Sequence, residues 1–138
     1  MLHRLPDWPE RLAALVKAAS GRPFLLGSWD CATFASDACF AMTGHDPLGP
    51  WRGAYATEAD LRALARQTEC ASVEAWADMA IGARVEVRLA RRGDWVLAPP
   101  PDERALGVCL GAQSAFVTDR GLAMKPTLRC LAAWPIGE

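Results

Sequence analysis

The apolar residues of this chain change their spacing once, near Arg84, and that single change restricts the folds open to it. Before it they recur at helical intervals: Leu12, Leu15 and Val16; then Cys31, Phe34, Ala35, Ala38, Cys39 and Met42; then Leu61, Leu64 and Ala65; then Val73, Trp76 and Met79. After it they alternate with charged residues at Val85, Val87 and Leu89, then fall into short runs. The runs are 94–97, 106–110, 115–118, 122–125 and 130–134, separated by Gly111, by Asp119-Arg120-Gly121 and by Pro126. Helices first and strands second describe an α+β chain, because βαβ units would interleave the two patterns. Repeats and low-complexity linkers are absent, so residues 1–138 read as one domain.

Cap signals sharpen the helical half. Asp7, with Pro9 and Glu10 behind it, suits the start of the first helix, and Gly21 with Pro23 suits its end. A second helix runs from Cys31 to Met42 and stops at Gly44. The turn formers of residues 45–53 make a loop. Thr57 can cap a third helix through the backbone amide of Asp60, and Ser72 a fourth that Gly82 closes. The short gap between these two predicts a helical hairpin. Arg91-Arg92-Gly93 reads as a turn and residues 99–103 as a loop.

Charge and composition exclude several roles. A net charge of −1 lacks the basic surface that a general grip on nucleic acid requires, and Arg91-Arg92 is too short to supply one. No apolar run approaches the ~20 residues of a spanning helix. The opening Met1–Leu12 segment has neither a long apolar stretch nor a small-residue cleavage site, so the expectation is a chain made in the cytoplasm and starting at Met1. The five cysteines at 31, 39, 70, 109 and 130 form no Cys-x-x-Cys pair and match no metal-ligand spacing; reduced thiols are expected, with no metal and no cofactor.

One cysteine stands apart. Trp29-Asp30-Cys31-Ala32-Thr33-Phe34 puts a thiol in the first turn of a helix, directly after a break from an apolar run. Unpaired amides at a helix start favour negative charge, so they can stabilise a thiolate and an oxyanion in acyl transfer. The alternative is a small buried hydrophobe that happens to fall there.

Three stretches carry a resemblance. Asp30-Cys31 at a helix start with Phe34 three residues on, Gly93-Asp94-Trp95-Val96-Leu97, and Leu106-Gly107-Val108-Cys109-Leu110-Gly111 resemble, in order and separation, the motifs of the NlpC-type peptidases. Those are papain-like cysteine hydrolases that cut peptide bonds in bacterial cell walls. The likeness spans roughly residues 24 to 134 and implies that the Cys31 helix packs on a C-terminal antiparallel sheet. Thr43-Gly44-His45-Asp46-Pro47, Trp51–Thr57, Gly121-Leu122 and Ala133-Trp134 look like a subgroup from phage, prophage and gene-transfer-agent tail gene clusters.

The likeness fails at the general base and at the residue that would orient it. The family's general base would stand where this chain has Ala105, and its orienting residue would fall near Val117 or Thr118. A thiol without its base cannot deliver a proton to the leaving amine. His45 begins ~18 Å away along a helix of about twelve residues, and His3 lies near a terminus. Asp30 reads as the cap of the Cys31 helix and Asp94 as the residue that fixes its strand's start. Among the tryptophans, Trp76, Trp95 and Trp134 read as core, whereas Trp8, Trp29 and Trp51 fall in loops and are expected to leave apolar surface exposed.

The resulting expectation is a papain-like fold, with Cys31 as the catalytic residue in place but degenerate. It would serve as a structural or adaptor component of a phage-type tail tip. Its partners would be neighbouring tail-tip and hub proteins and peptidoglycan, with no nucleic acid and no membrane span. The rival is an active cysteine peptidase or amidase that uses Cys31 and a base from elsewhere. Binding of a metal or cluster by the cysteines is a third reading.

Overall fold

The computed structural model describes residues 2–101 and 105–137. Four helices, α1 (Trp8–Ala19), α2 (Cys31–Thr43), α3 (Glu58–Thr68) and α4 (Val73–Ala80), precede five strands. The strands β1 (Trp95–Leu97), β2 (Leu106–Cys109), β3 (Gln113–Thr118), β4 (Gly121–Pro126) and β5 (Ala132–Trp134) form one antiparallel sheet in the order β4-β3-β2-β1-β5. The α+β class is therefore as expected. α2 lies on the sheet across β2 and β3, and α1 packs on α2.

The composition of β1 follows from its place. It is flanked on both sides by strands and covered on both faces, so Trp95, Val96 and Leu97 are all buried. A strand buried on both faces shows no polar alternation. Trp95 and Leu97 join the main core with Phe34, Ala35, Ala38, Met42, Leu106, Val108 and Trp134. Val96 joins a second cluster on the other face, with Cys109, Phe116, Cys130 and Ala133 under a cover from Val85, Val87 and Ala90. The Trp95 indole N–H donates to the Ala35 carbonyl at 2.8 Å, fixing α2 to β1. Trp134 donates likewise to Asp78 of α4 at 2.9 Å.

Most cap expectations match the backbone. Asp30 and Thr57 each form a reciprocal capping box, Ser72 caps α4, and Gly44 ends α2 in the left-handed region at φ +81°. Asp7 differs: its carboxylate accepts from Arg11 and leaves the helix amides alone, so α1 begins without a side-chain cap. Ser20, not Gly21, ends α1.

Other local differences have physical reasons. Residues 24–30 form no strand. Gly27 at φ +85° folds the segment onto itself, and only Leu25 and Trp29 pair. Residues 85–89 do not run as an alternating strand either. Val85 pairs singly with Ala133, and Val87–Leu89 close into a 3-10 turn that covers the second cluster. A 3-10 turn at Thr127–Arg129 shortens the last strand to Ala132–Trp134. Trp29 is buried against Phe34 at 5.5 Å between ring centroids and does not present itself from a loop. Within the expected 99–103 loop, residues 102 and 103 lie outside the described residues.

Asp94 joins the two ends of the chain. Fully buried, it accepts from Arg4 at 2.9 Å, from the Arg91 amide at 2.9 Å and from the Ile136 amide at 3.0 Å. Arg4 also donates to the Ile136 carbonyl at 2.8 Å. One carboxylate thus fixes the start of β1 and ties the N-terminal and C-terminal segments to it.

Candidate functional site

A cleft of about 400 Å³ opens between the start of α2 and the pair α3–α4. Cys31 and Asp30 line it from α2, Leu61 and Leu64 from α3, Val73 and Trp76 from α4, and Leu48, Trp51 and Tyr55 from the loop between α2 and α3. The expected helical hairpin is therefore not a closed pair. The two helices share the walls of an open cleft, and none of α3's residues is fully buried. Trp51 meets Trp76 edge-on at 6.5 Å, and Trp76 stacks on Trp95 at 5.5 Å, so the aromatic wall continues into the core.

The local chain path explains why Cys31 sits here. The Asp30 carboxylate accepts from the Thr33 amide and so starts α2 one residue before the cysteine. Its other oxygen accepts from the Gly27 amide at 2.9 Å and from the Tyr55 hydroxyl at 2.7 Å. Gly27 is required at this bend, since a Cβ there would lie 2.2 Å from the Tyr55 carbonyl oxygen. Asp30 thus holds the turn before the cysteine, the cysteine's helix and the loop opposite. It is a structural cap, with every role directed at geometry.

Burial and the negative charge of Asp30 oppose the Cys31 thiolate, whereas the backbone amides of Leu106, Ala32 and Cys31 favour it. Burial is the largest influence, and the thiol is pushed up to about 11. At neutral pH only about one part in ten thousand is thiolate. Alkylation of Cys31 should therefore rise about tenfold per pH unit from pH 7 towards pH 11, followed by mass spectrometry of the labelled peptide. A rate already level between pH 7 and 8 would contradict a thiol pushed up to about 11.

No histidine is found among the described residues lining the cleft. His45 is exposed beyond the far end of α2, where its backbone amide donates to Thr43; His3 is exposed near the N-terminus. Leu106, next to Ala105, contributes a backbone amide that favours the Cys31 thiolate. The Ala105 methyl packs against the second cluster. The Thr118 hydroxyl is engaged in its own turn, donating to the Gly121 carbonyl at 2.7 Å, and Val117 packs against the main core. Cys31 thus has backbone amides that favour its thiolate and, among the described residues lining the cleft, no histidine.

Tyr55 escaped the sequence reading. It is the chain's only tyrosine and lies in a stretch of small and polar residues, where a buried aromatic has no periodicity to announce it. Its hydroxyl is held well above the ordinary phenol range by burial and by the adjacent Asp30 carboxylate, so it stays a donor. Tyr55→Phe should cost about 1–3 kcal/mol in a urea melt, because the buried carboxylate loses one of its donors. A loss below the error of the melt would remove Tyr55 from the site's support.

All five cysteines are free thiols. Among the described residues no group of three or more His, Cys, Asp or Glu side chains is placed to hold a metal ion. Among the described residues no helix is long and apolar enough to cross a membrane.

Comparison with protein-family models matches residues 3–136 to a domain of unknown function, DUF6950. No curated protein and no solved structure matches this chain.

Proposed function

This chain belongs to the DUF6950 family, and from that premise we propose that it is a binding domain on a papain-like, NlpC-type scaffold whose hydrolytic chemistry has been lost. In this reading it works as a structural or adaptor component of a phage-type tail tip, in contact with tail-tip and hub proteins and with peptidoglycan. One observation carries the reading. Cys31 stands in the first turn of α2, where the resemblance expects a nucleophile, and the Leu106 amide favours its thiolate, yet the residue expected to be the base is Ala105. A protonated thiol without a base can line a cleft but cannot run acyl transfer at a useful rate.

The loop between α2 and α3 suits a contact surface. Arg52 pairs with Asp46 at 2.6 Å and also with Asp37 of α2, so the loop is tied to the helix it follows. Pro47 and Pro50 stiffen it, and Trp51 faces the cleft. The experiment is co-purification of the full chain with the proteins encoded beside it, for wild type, Trp51→Ala and Arg52→Ala. Retention by the wild type and loss in both variants is the expected result. A chain that stays alone among those proteins, with tails assembling normally in both variants, would overturn the adaptor reading.

The rival reading, an active peptidase, draws on the three amides around the Cys31 sulfur, which are donors an oxyanion could use. It requires a base from a partner chain.

A further inference from the structure

The walls of the Cys31 cleft have a chemistry that selects its occupant. Most of its lining is apolar, with Leu48, Trp51, Leu61, Leu64, Val73 and Trp76 among the larger side chains. The charged side chains among the described lining residues are Asp30 and Glu58, both acidic, and neither lysine, arginine nor histidine is among them. The apolar surface continues out of the mouth: Phe24 lines the cleft and is 47% exposed, Leu61 is 38% exposed, and Leu25 beside Phe24 is 62% exposed. A deep apolar pocket inside a wider apolar rim is the pattern of a protein anchor site, where one or two side chains fill the pocket and the rim excludes water.

We propose that the cleft binds an extended segment of a partner protein that presents adjacent apolar side chains and carries neutral or basic flanks. The apolar side chains would seat between α3 and α4 above Cys31, and basic flanks would face Glu58 at the α3 start. The inference rests on the reading of this cleft as a binding site. It does not depend on the tail assembly being the source of the segment.

The test uses the full chain and three capped synthetic peptides with a central Leu-Phe pair, flanked by serines, by lysines or by glutamates. Cys31 and Cys70 both line the cleft, while Cys39, Cys109 and Cys130 are buried and serve as internal references. Iodoacetamide labelling is followed for each cysteine by mass spectrometry, with tryptophan emission as a second signal from Trp51 and Trp76. At about ten times its Kd the lysine-flanked peptide should slow labelling of both cleft cysteines about tenfold. The serine-flanked peptide should do the same at a higher concentration, and the glutamate-flanked peptide should bind at least about fivefold more weakly than the serine-flanked one. Leu61→Glu, a change on an exposed position of α3, should abolish the protection while circular dichroism keeps the helical signal.

No protection by any peptide up to about 1 mM would overturn the proposal. So would equal protection by the glutamate-flanked peptide. Protection by dodecyl maltoside without any peptide would make the cleft a small-molecule site, and protection that grows with protein concentration alone would make its occupant a second copy. Turnover of muropeptides would defeat the loss-of-chemistry reading without touching these labelling results, so the two failures are distinguishable.

Discussion

Replacing Asp94 by alanine should destabilise the protein by about 3–5 kcal/mol, the loss expected when one member of a buried, hydrogen-bonded ion pair is removed. The Asp94 side chain is 0% exposed and its partner Arg4 is 5% exposed, so water cannot take the carboxylate's place. The variant strands a guanidinium and leaves the Arg91 and Ile136 amides without their acceptor. Each of those losses acts on a different segment, so the N-terminal strap, the start of β1 and the C-terminal strap should loosen together. Asp94→Asn keeps an acceptor of the same shape and should lose less. Urea melts of the two variants against wild type measure this, and an alanine variant within 1 kcal/mol of wild type, taking about 3 kcal/mol as the floor, would contradict the structural role.

The second large effect is a gain. Ala105→His should raise the rate of Cys31 alkylation at pH 7 about tenfold to a hundredfold. On the correspondence with a lost base, an imidazole at residue 105, next to the Leu106 amide that favours the thiolate, is expected to pair with that thiolate. A thiol at about 11 has far to fall, and a drop of about two pH units raises its thiolate a hundredfold at neutral pH. The lower basicity of the sulfur takes back part of that gain. In the wild type the Ala105 methyl leans on the second cluster, so the histidine must turn towards the cleft to act. The check is the pH profile of alkylation: the variant should show a new inflection near the histidine range that is absent from the wild type. An unchanged profile would mean that residue 105 does not face Cys31, and the correspondence with a lost base would fall.

What the sequence disclosed follows the strength of its local signals. α2, α3 and α4 were legible because Asp30, Thr57 and Ser72 are caps with short-range geometry, and Gly44 supplies the left-handed end. The strands were legible as runs between turn formers. Asp7 misled because Arg11, one turn on, competes for the same carboxylate. Residues 24–30 read only as an apolar run that breaks, because the bend at Gly27 sits against the Tyr55 carbonyl, far along the chain, where a Cβ would not fit. The same applies to the site. Cys31 announces itself by the helix start it occupies. Tyr55, which holds Asp30, and α3, which supplies a wall of the cleft, depend on tertiary contacts that no spacing encodes. Trp29 was assigned to a loop surface and is buried, because the bend at Gly27 turns it inward against Phe34 beneath a stacked Arg22.

The composition of the cleft bears on what a domain like this can do. Enzymes of the papain type need a thiolate at neutral pH, and they reach it with a charged partner. Here the groups that favour the thiolate are backbone amides, and burial outweighs them. The same burial makes Cys31 a good apolar liner, in keeping with the walls around it.

The most direct test of this account is a digestion measurement on the purified full chain. Peptidoglycan sacculi and defined muropeptides are incubated with wild type and with Cys31→Ala at neutral pH, and released peptides are quantified by mass spectrometry. The account predicts that both proteins release the same background amount, because an absent base removes several powers of ten in rate. Product formed by the wild type and absent with Cys31→Ala would contradict it.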